Sequence, residues 1–372
     1  MSLRVLIVPD KFKGTLTSRQ AANAIAQGWH QARPTDILDL LPMADGGDGF
    51  GEVLGSLLGA ESRICLTTDA ARRPRLAEWW LQSDTATAVI ETAQVIGLAL
   101  LPPGLFHPFT LDTYGLGTVL RHAAEAGARK LYVGIGGSAT NDGGFGLARS
   151  LGWTFWDVTG KEILDWSALD QLDHIQPPSQ SLDFDEIIIA VDVSNPLLGV
   201  NGASRIYGPQ KGLREMDFPH AEACLGKLAK VLSSSGTMDA AIQPGAGAAG
   251  GLGFGLKVFC QGTFRSGGEI FTQLANLEER IAQSDLIITA EGAMDAQTLM
   301  GKGVGVVAAA ADKAGKRCLC LAGSVSTEGK NAPWKNFRSY AIVPHLAELE
   351  EAKSNAFDCL QRLATFAAGD QG

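Results

Sequence analysis

Short apolar runs recur along the chain, and each ends in a cluster of glycine with acidic, basic or amide residues. Val5–Val8, Ile37–Met43, Ala88–Thr92, Leu131–Ile135, Glu186–Ala190, Leu286–Thr289, Arg317–Ala322 and Ser339–Val343 read as strands. Val5–Val8 is a continuous rather than alternating apolar run, the mark of a strand buried on both faces, as in parallel sheets. Trp153–Val158 reads as a further strand. Between the strands the spacing becomes helical. Thr17 or Ser18 can cap a helix through Ala32 with Ala22, Ile25 and Trp29 inward. The loop Thr110–Gly117 leads into a helix through Ala126, which Gly127 can end. Ala148–Leu151 and Val304–Ala314 also read as helix, and the chain beyond His345 as one amphipathic helix. Asn201–Gly212 reads as a long irregular segment. Strands alternating with helices predict an α/β fold with parallel sheets.

The strand ends carry the candidate chemistry, because ligands of open parallel sheets bind beyond the carboxyl ends of the strands. The richest is Lys130–Leu147, where Gly134, Gly136, Gly137, Gly143, Gly144 and Gly146 surround Ser138, Thr140, Asn141 and Asp142. Glycine lets backbone amides approach an anion, so this stretch reads as a phosphate- or carboxylate-binding loop. A structural turn capped by Asn-Asp is the competing reading. Lys11 and Lys13 follow the first strand and suit an anionic ligand. Asp45 follows the second, in a loop that can present it to a ligand or to Mg²⁺. Asp192 and Asn195 follow Glu186–Ala190. Glu291, Asp295, Gln297 and Lys302 follow Leu286–Thr289. Gly245–Gly255 has no polar side chain, so close backbone packing or a hinge explains it as well as a ligand does.

The 372 residues suit two domains, or three, and 45 glycines concentrated between apolar runs mark loops at strand ends. A net charge of −9 without a basic stripe argues against a nucleic-acid binder. No apolar segment reaches the roughly 18 residues of a membrane span. The amino terminus has no signal-peptide pattern, and the six cysteines form no CxxC or Cys/His metal motif, so the expected compartment is the cytoplasm. The six histidines sit apart from the Gly/Asp loops and no GxSxG occurs, which disfavours a nucleophilic triad.

Lysines, carboxylates, Asn, Thr and glycine amides at five strand ends match phosphoryl transfer, where positioning and charge neutralisation dominate. A Walker A motif is absent, since Gly301-Lys302 is followed by Gly303, and so is the protein-kinase motif set. A dehydrogenase using NAD(P) on a small hydroxy acid is the runner-up: Gly134-x-Gly136-x-x-Ala139 follows a strand and Asp157 lies about 20 residues on. Against it, Asn141-Asp142-Gly143-Gly144 would interrupt the helix that should start there. A third reading is a non-enzymatic organic-acid sensor.

The chain resembles the bacterial type I glycerate kinase family along nearly its whole length. The resemblance rests on PDKFKGTL at Pro9, LPMADGGDG at Leu41, GIGGSATNDGG at Gly134, DVSNPL at Asp192, GPQKG at Gly208, PGAGAAGGLG at Pro244 and EGAMDAQTLMGK at Glu291. It implies transfer of the ATP γ-phosphate to D-glycerate, with Mg²⁺, giving 2-phosphoglycerate or 3-phosphoglycerate. It also implies two α/β domains with the active-site cleft between them: one flavodoxin-like, with helices on both faces of a parallel sheet, and the other inserted into it. The expected division is 1–65 with 285–372, and 66–284 as the insertion; a homodimer is the expected assembly. The family has Ser where Lys11 stands, Asp where Ser194 stands, Gly at Ala290 and Arg at Ala293, so Lys11 is a candidate replacement for the missing Arg charge.

The roles expected from loop position are as follows. Lys11, Lys13 and the Gly136, Gly137, Ser138 and Thr140 segment neutralise phosphate or carboxylate, with Asn141 and Asp142 beside them. Asp45, Asp192 and Asp295 hold Mg²⁺ or orient the glycerate hydroxyls, with Asp45 and Asp192 as the metal ligands and Asp192 first choice as general base. Lys211 and Lys302 contact nucleotide phosphates, and Asn195, Glu291 and Gln297 complete the binding set.

Overall fold

The structure, a computed structural model, describes residues 2–232, 238–299 and 303–371, without the side chains of Met238, Gln297 and Lys330. The chain divides into two compact units, 1–45 with 268–372, and 46–267. The expected boundaries at 65/66 and 284/285 fall elsewhere: the first lies inside a strand of the second unit, and the segment before Leu286 already belongs to the first unit.

The described residues hold thirteen strands, numbered β1 to β13 in chain order. The first unit contains β1 (Arg4–Pro9), β2 (Ile37–Leu40), β11 (Leu286–Met294), β12 (Arg317–Val325) and β13 (Phe337–Ala341). Their order is β13-β12-β11-β1-β2, and each neighbouring pair is parallel. Read from the other edge, this is the flavodoxin-like order 2-1-3-4-5. Val5, Ile7, Leu286, Ile288, Leu319 and Leu321 form one buried cluster with Ile25, Trp29, Leu360 and Leu363 from two helices. Those helices are Ser18–Ala32 and Ala356–Gly369. Thr17 caps the first with a reciprocal Thr17–Gln20 box. The two helices approach so closely that a Cβ on Gly28 would lie 2.0 Å from the Gln361 carbonyl oxygen, which confines that position to glycine. Beyond His345 there are two helices rather than one, Leu349–Ser354 and Ala356–Gly369. They part at Asn355, whose φ of −122° and ψ of 40° leave the helical region.

The second unit contains β3 (Glu61–Thr68), β4 (Pro74–Gln82), β5 (Thr87–Glu91), β6 (Lys130–Gly134), β9 (Glu186–Ala190) and β10 (Thr263–Arg265) in one sheet, ordered β10-β9-β6-β5-β4-β3. β5, β6, β9 and β10 run parallel, and β3 and β4 form an antiparallel hairpin at the edge. β7 (Thr154–Asp157) and β8 (Leu172–Gln176) make a separate two-stranded ribbon. Ile90, Leu131, Val133, Ile187 and Ile189 bury against Leu116, Val119 and Leu120 of the helix Tyr114–Glu125. Asn201–Gly212 is not irregular: Ala203–Lys211 is helical, with Pro209 inside it. No helix of the described residues is long and apolar enough to cross a membrane.

Candidate active site

The first unit has a cleft of about 490 Å³ at the carboxyl ends of its strands, lined by Asp10, Lys11, Lys13, Asp45, Glu291, Asp295 and Thr298 among others. Register explains the convergence. β1 and β11 are adjacent and parallel, with Pro9 opposite Ala290, so Asp10 and Glu291 emerge at the same end. Asp45 follows β2, whose continuation donates from the Leu41 and Met43 amides to Ile7 and Pro9. Lys11 and the Ala293 position line the same cleft, so the extra lysine stands where its charge can serve the same ligand.

Glu291 does not lie in a loop after a strand ending at Thr289, as expected. β11 continues to Met294, because its pairing with β12 runs on through Ala293 opposite Ser324 and Met294 opposite Val325. The Thr298 hydroxyl donates to Glu291 Oε1 at 2.7 Å and accepts from the Asp295 amide at 3.2 Å. Burial pushes the Glu291 carboxyl up to about 8, and the nearby Asp10 and Asp295 charges add to the rise, with the Thr298 bond opposing it. Asp10 Oδ1 accepts from the Lys11 amide at 2.7 Å. Gly303 has φ +47°, and a Cβ there would lie 2.9 Å from Asp10 Oδ2, so glycine is what lets that turn close on the carboxylate. Asp10 and Thr298 were not among the expected site residues. Asp10 was legible as the first polar residue after β1, but the spacing Asp295-x-x-Thr298 gave no comparable signal. Lys302 lies outside the described residues, and the side chain of Gln297 is not described.

The remaining expected residues belong to the second unit. The glycines after β6 serve close approach: a Cβ on Gly136 would lie 2.6 Å from Gly47 Cα, and one on Gly137 2.5 Å from Asp48 Oδ1. Three amides of the loop donate within the unit, Gly136 to Gly46, Ala139 to Ile96 and Thr140 to the Ser138 hydroxyl. The loop is therefore not an open row of amides. Ser138 and Thr140 hydroxyls lie 3.2 Å apart.

Asp142 is fully buried and accepts from the Thr113 amide and hydroxyl and from the Gly144 and Gly146 amides, so its carboxylate organises the loop. Burial, with the Asp112 charge, raises it to about 6. Asn141 donates to the Ser204 hydroxyl. Lys211 is buried at the end of the helix Ala203–Lys211 and donates to the Thr140 carbonyl at 2.6 Å. Burial pushes its ammonium down to about 7, opposed by Asp142. Asp192 Oδ1 accepts from the Ser266 hydroxyl at 2.7 Å and the Gly267 amide at 3.1 Å. Asn195 donates to the Asn201 carbonyl and accepts from the Tyr207 hydroxyl.

The dinucleotide fingerprint lacks its helix. After β6 the next helix begins only at Phe145, and the Asp157 carboxylate is used by the Thr159 and Lys161 amides of its own turn. Gly245–Gly255 serves backbone packing: a Cβ on Gly250 would lie 1.9 Å from the Thr140 oxygen, and one on Gly255 2.6 Å from the Gly143 oxygen.

The model of the "Glycerate kinase family" matches residues 5–369. A "Glycerate 2-kinase" of Escherichia coli (strain K12) is 35% identical over 365 residues, covering 97% of this chain and 96% of that protein. A "Glycerate kinase" of Halalkalibacterium halodurans is 35% identical over 368 residues, covering 97% of this chain and 96% of that one. A crystal structure of a protein from Salmonella typhimurium LT2 superposes with a TM-score of 0.82 at 34% identity, covering 100% of this chain and 98% of the other. With a family model spanning both units, and relatives matched almost end to end, the chain belongs to the glycerate kinase family and is a phosphotransferase.

Proposed function

We propose that the enzyme transfers the γ-phosphoryl group of ATP to the 2-hydroxyl of D-glycerate, giving 2-phosphoglycerate and ADP in the cytoplasm. The observation that carries this reading is the cleft of the first unit, where Lys11 and Lys13 share one lining with Asp10, Asp45, Glu291 and Asp295. Cations there suit an anionic acid or phosphate, and carboxylates suit hydroxyl orientation and proton transfer. The 2-hydroxyl rather than the 3-hydroxyl is favoured by the Escherichia coli relative, which is named for 2-phosphorylation.

Lys11 and Lys13 neutralise the acid or the migrating phosphoryl group, and Asp295 orients a glycerate hydroxyl. Asp192 takes the proton of the attacking hydroxyl; its Oδ1 is fixed by Ser266 and Gly267, which holds the carboxylate in one orientation. In this reading Ser138, Thr140 and Asn195 contribute to binding from the second unit, while Asn141, Asp142 and Lys211 hold its loop in shape. Mg²⁺ is commonly held by one or two carboxylates together with substrate phosphates. Asp45 and Asp192 are the carboxylates proposed for it, and the ion supplies charge neutralisation on the phosphoryl oxygens. Lys302 and Gln297 complete the phosphate-binding set in this reading.

ADP release on mixing the enzyme with D-glycerate and MgATP tests the function. A dehydrogenase would instead change NADH absorbance, and a sensor would raise the melting temperature without product.

A further inference from the structure

The hydrogen bonds around Glu291 have a direction. The Asp295 amide donates to the Thr298 oxygen, and the one proton of the Thr298 hydroxyl is donated to Glu291 Oε1. Oε1 is thereby the accepting oxygen, and a proton on this carboxyl sits on Oε2. The surroundings favour that proton. Asp10 follows β1, Asp295 follows β11, Asp45 follows β2, and all three line the same cleft as Glu291. Cys320, on the neighbouring strand β12, is buried and close enough to feel the Glu291 charge. Among the described residues the cations of the cleft are Lys11, Lys13 and Lys353.

Asp10, Asp45, Asp295 and an ionised Glu291 would offset the lysines that attract an organic acid, and a neutral Glu291 removes one of those negative charges and replaces it with a donor. We propose that Glu291 is neutral in the working enzyme and donates a hydrogen bond from Oε2 to the carboxylate of the incoming hydroxy acid, with Thr298 fixing which oxygen carries the proton. This rests on the proposed glycerate phosphorylation. It assigns the cleft of the first unit to the acid substrate, through a neutral donor rather than a base. A carboxyl raised to about 8 by burial is consistent with that state at neutral pH.

The test is kcat/KM for D-glycerate and, separately, for MgATP from about pH 6 to pH 10, in the wild type, Glu291→Gln and Glu291→Leu. In the wild type, kcat/KM for glycerate should fall about tenfold per pH unit above about pH 8 as the donor is lost, with no matching limb for MgATP. Glu291→Gln, whose amide still donates, should raise the glycerate KM by about three- to tenfold at pH 7 and abolish the alkaline limb. Glu291→Leu should raise it by about a hundredfold.

A carboxyl-stretch band present in the wild-type infrared difference spectrum at pH 7, and absent in Glu291→Gln, should report the protonated group directly. The proposal is overturned if Glu291→Gln is folded but loses kcat by orders of magnitude, since Glu291 would then act ionised as a base. It is also overturned if the alkaline limb persists unchanged in Glu291→Gln, or if the limb belongs to MgATP. A wild-type enzyme that phosphorylates no glycerate at any pH defeats the function itself, whereas normal turnover with an unaltered limb in Glu291→Gln defeats only the role of Glu291.

Discussion

The Thr298 hydroxyl lies 2.7 Å from Oε1 of Glu291 and donates to it. That bond works against the burial that raises the Glu291 carboxyl. Thr298→Val deletes the donor, so the carboxyl rises further and the alkaline limb of kcat/KM for glycerate shifts to higher pH. The cost to folding is about 1–2 kcal/mol, from the two hydrogen bonds that the Thr298 hydroxyl makes. Linkage has a definite sign. Between the ordinary carboxyl value of 4.5 and about 8, the folded state holds a proton the unfolded state has released. Stability therefore falls as pH rises through that window, and the window widens in the variant. Denaturation at several pH values, beside the kinetic profile, checks both; a limb that moves to lower pH contradicts the account.

Lys211 tests whether the second unit's buried amine shapes the fold. Its ammonium is pushed down by burial from 10.5 to about 7, so between those values the unfolded chain holds the extra proton. Stability rises with pH across that interval, and Lys211→Met removes the rise. The variant also leaves the Thr140 carbonyl without its 2.6 Å donor, at a cost of about 1–3 kcal/mol near pH 9. Chemical denaturation of both proteins from pH 7 to about 10 decides it, and parallel curves would count against the argument.

Gly250→Ala should be among the most damaging single-methyl changes in the chain. The position has φ +70°, and the new Cβ would lie 1.9 Å from the backbone oxygen of Thr140. Backbone cannot yield as a flexible side chain does, so a loss of about 3 kcal/mol or more is expected. A melting temperature equal to that of the wild type would contradict the close packing of these loops.

Asp192→Asn should keep the fold, because an amide oxygen can still accept from Ser266 and Gly267. Its kcat should drop by about 10²–10⁴, the usual worth of a positioned proton acceptor. Turnover close to wild type, at unchanged melting temperature, removes Asp192 from the proposed role of base.

Much of this architecture was legible in the sequence where one force dominated. Val5–Val8 and Glu186–Ala190 are continuous apolar runs and became central parallel strands. Thr17 or Ser18 was expected to cap a helix, and Thr17 does so, in a box with Gln20 that was not among the expectations. Other parts were not legible, for physical reasons. The β3–β4 hairpin turns Ile64, Leu66 and Leu76 outward to solvent, so its apolar positions do not mark a buried face. Pro209 and the glycines Gly202, Gly208 and Gly212 disguised the helix Ala203–Lys211, whose place is set by packing of Ala203 and by the buried ends of Ser204 and Lys211. The glycines at Gly136 and Gly137 predicted amides open to an anion, but most of their purpose is to let the segment Gly46–Asp48 pass within contact distance. In the first unit the expected Lys11, Lys13, Asp45, Glu291 and Asp295 do line one cleft. The proton balance of Glu291 was not readable, because it depends on burial and on Thr298, seven residues along.

Phosphorus NMR of a reaction containing the enzyme, D-glycerate and MgATP is the most direct test of the central claim. The account predicts loss of the ATP γ-phosphate resonance, growth of ADP, and one new phosphomonoester signal matching authentic 2-phosphoglycerate. Unconsumed ATP, or hydrolysis to inorganic phosphate with no phosphoglycerate formed, would contradict it.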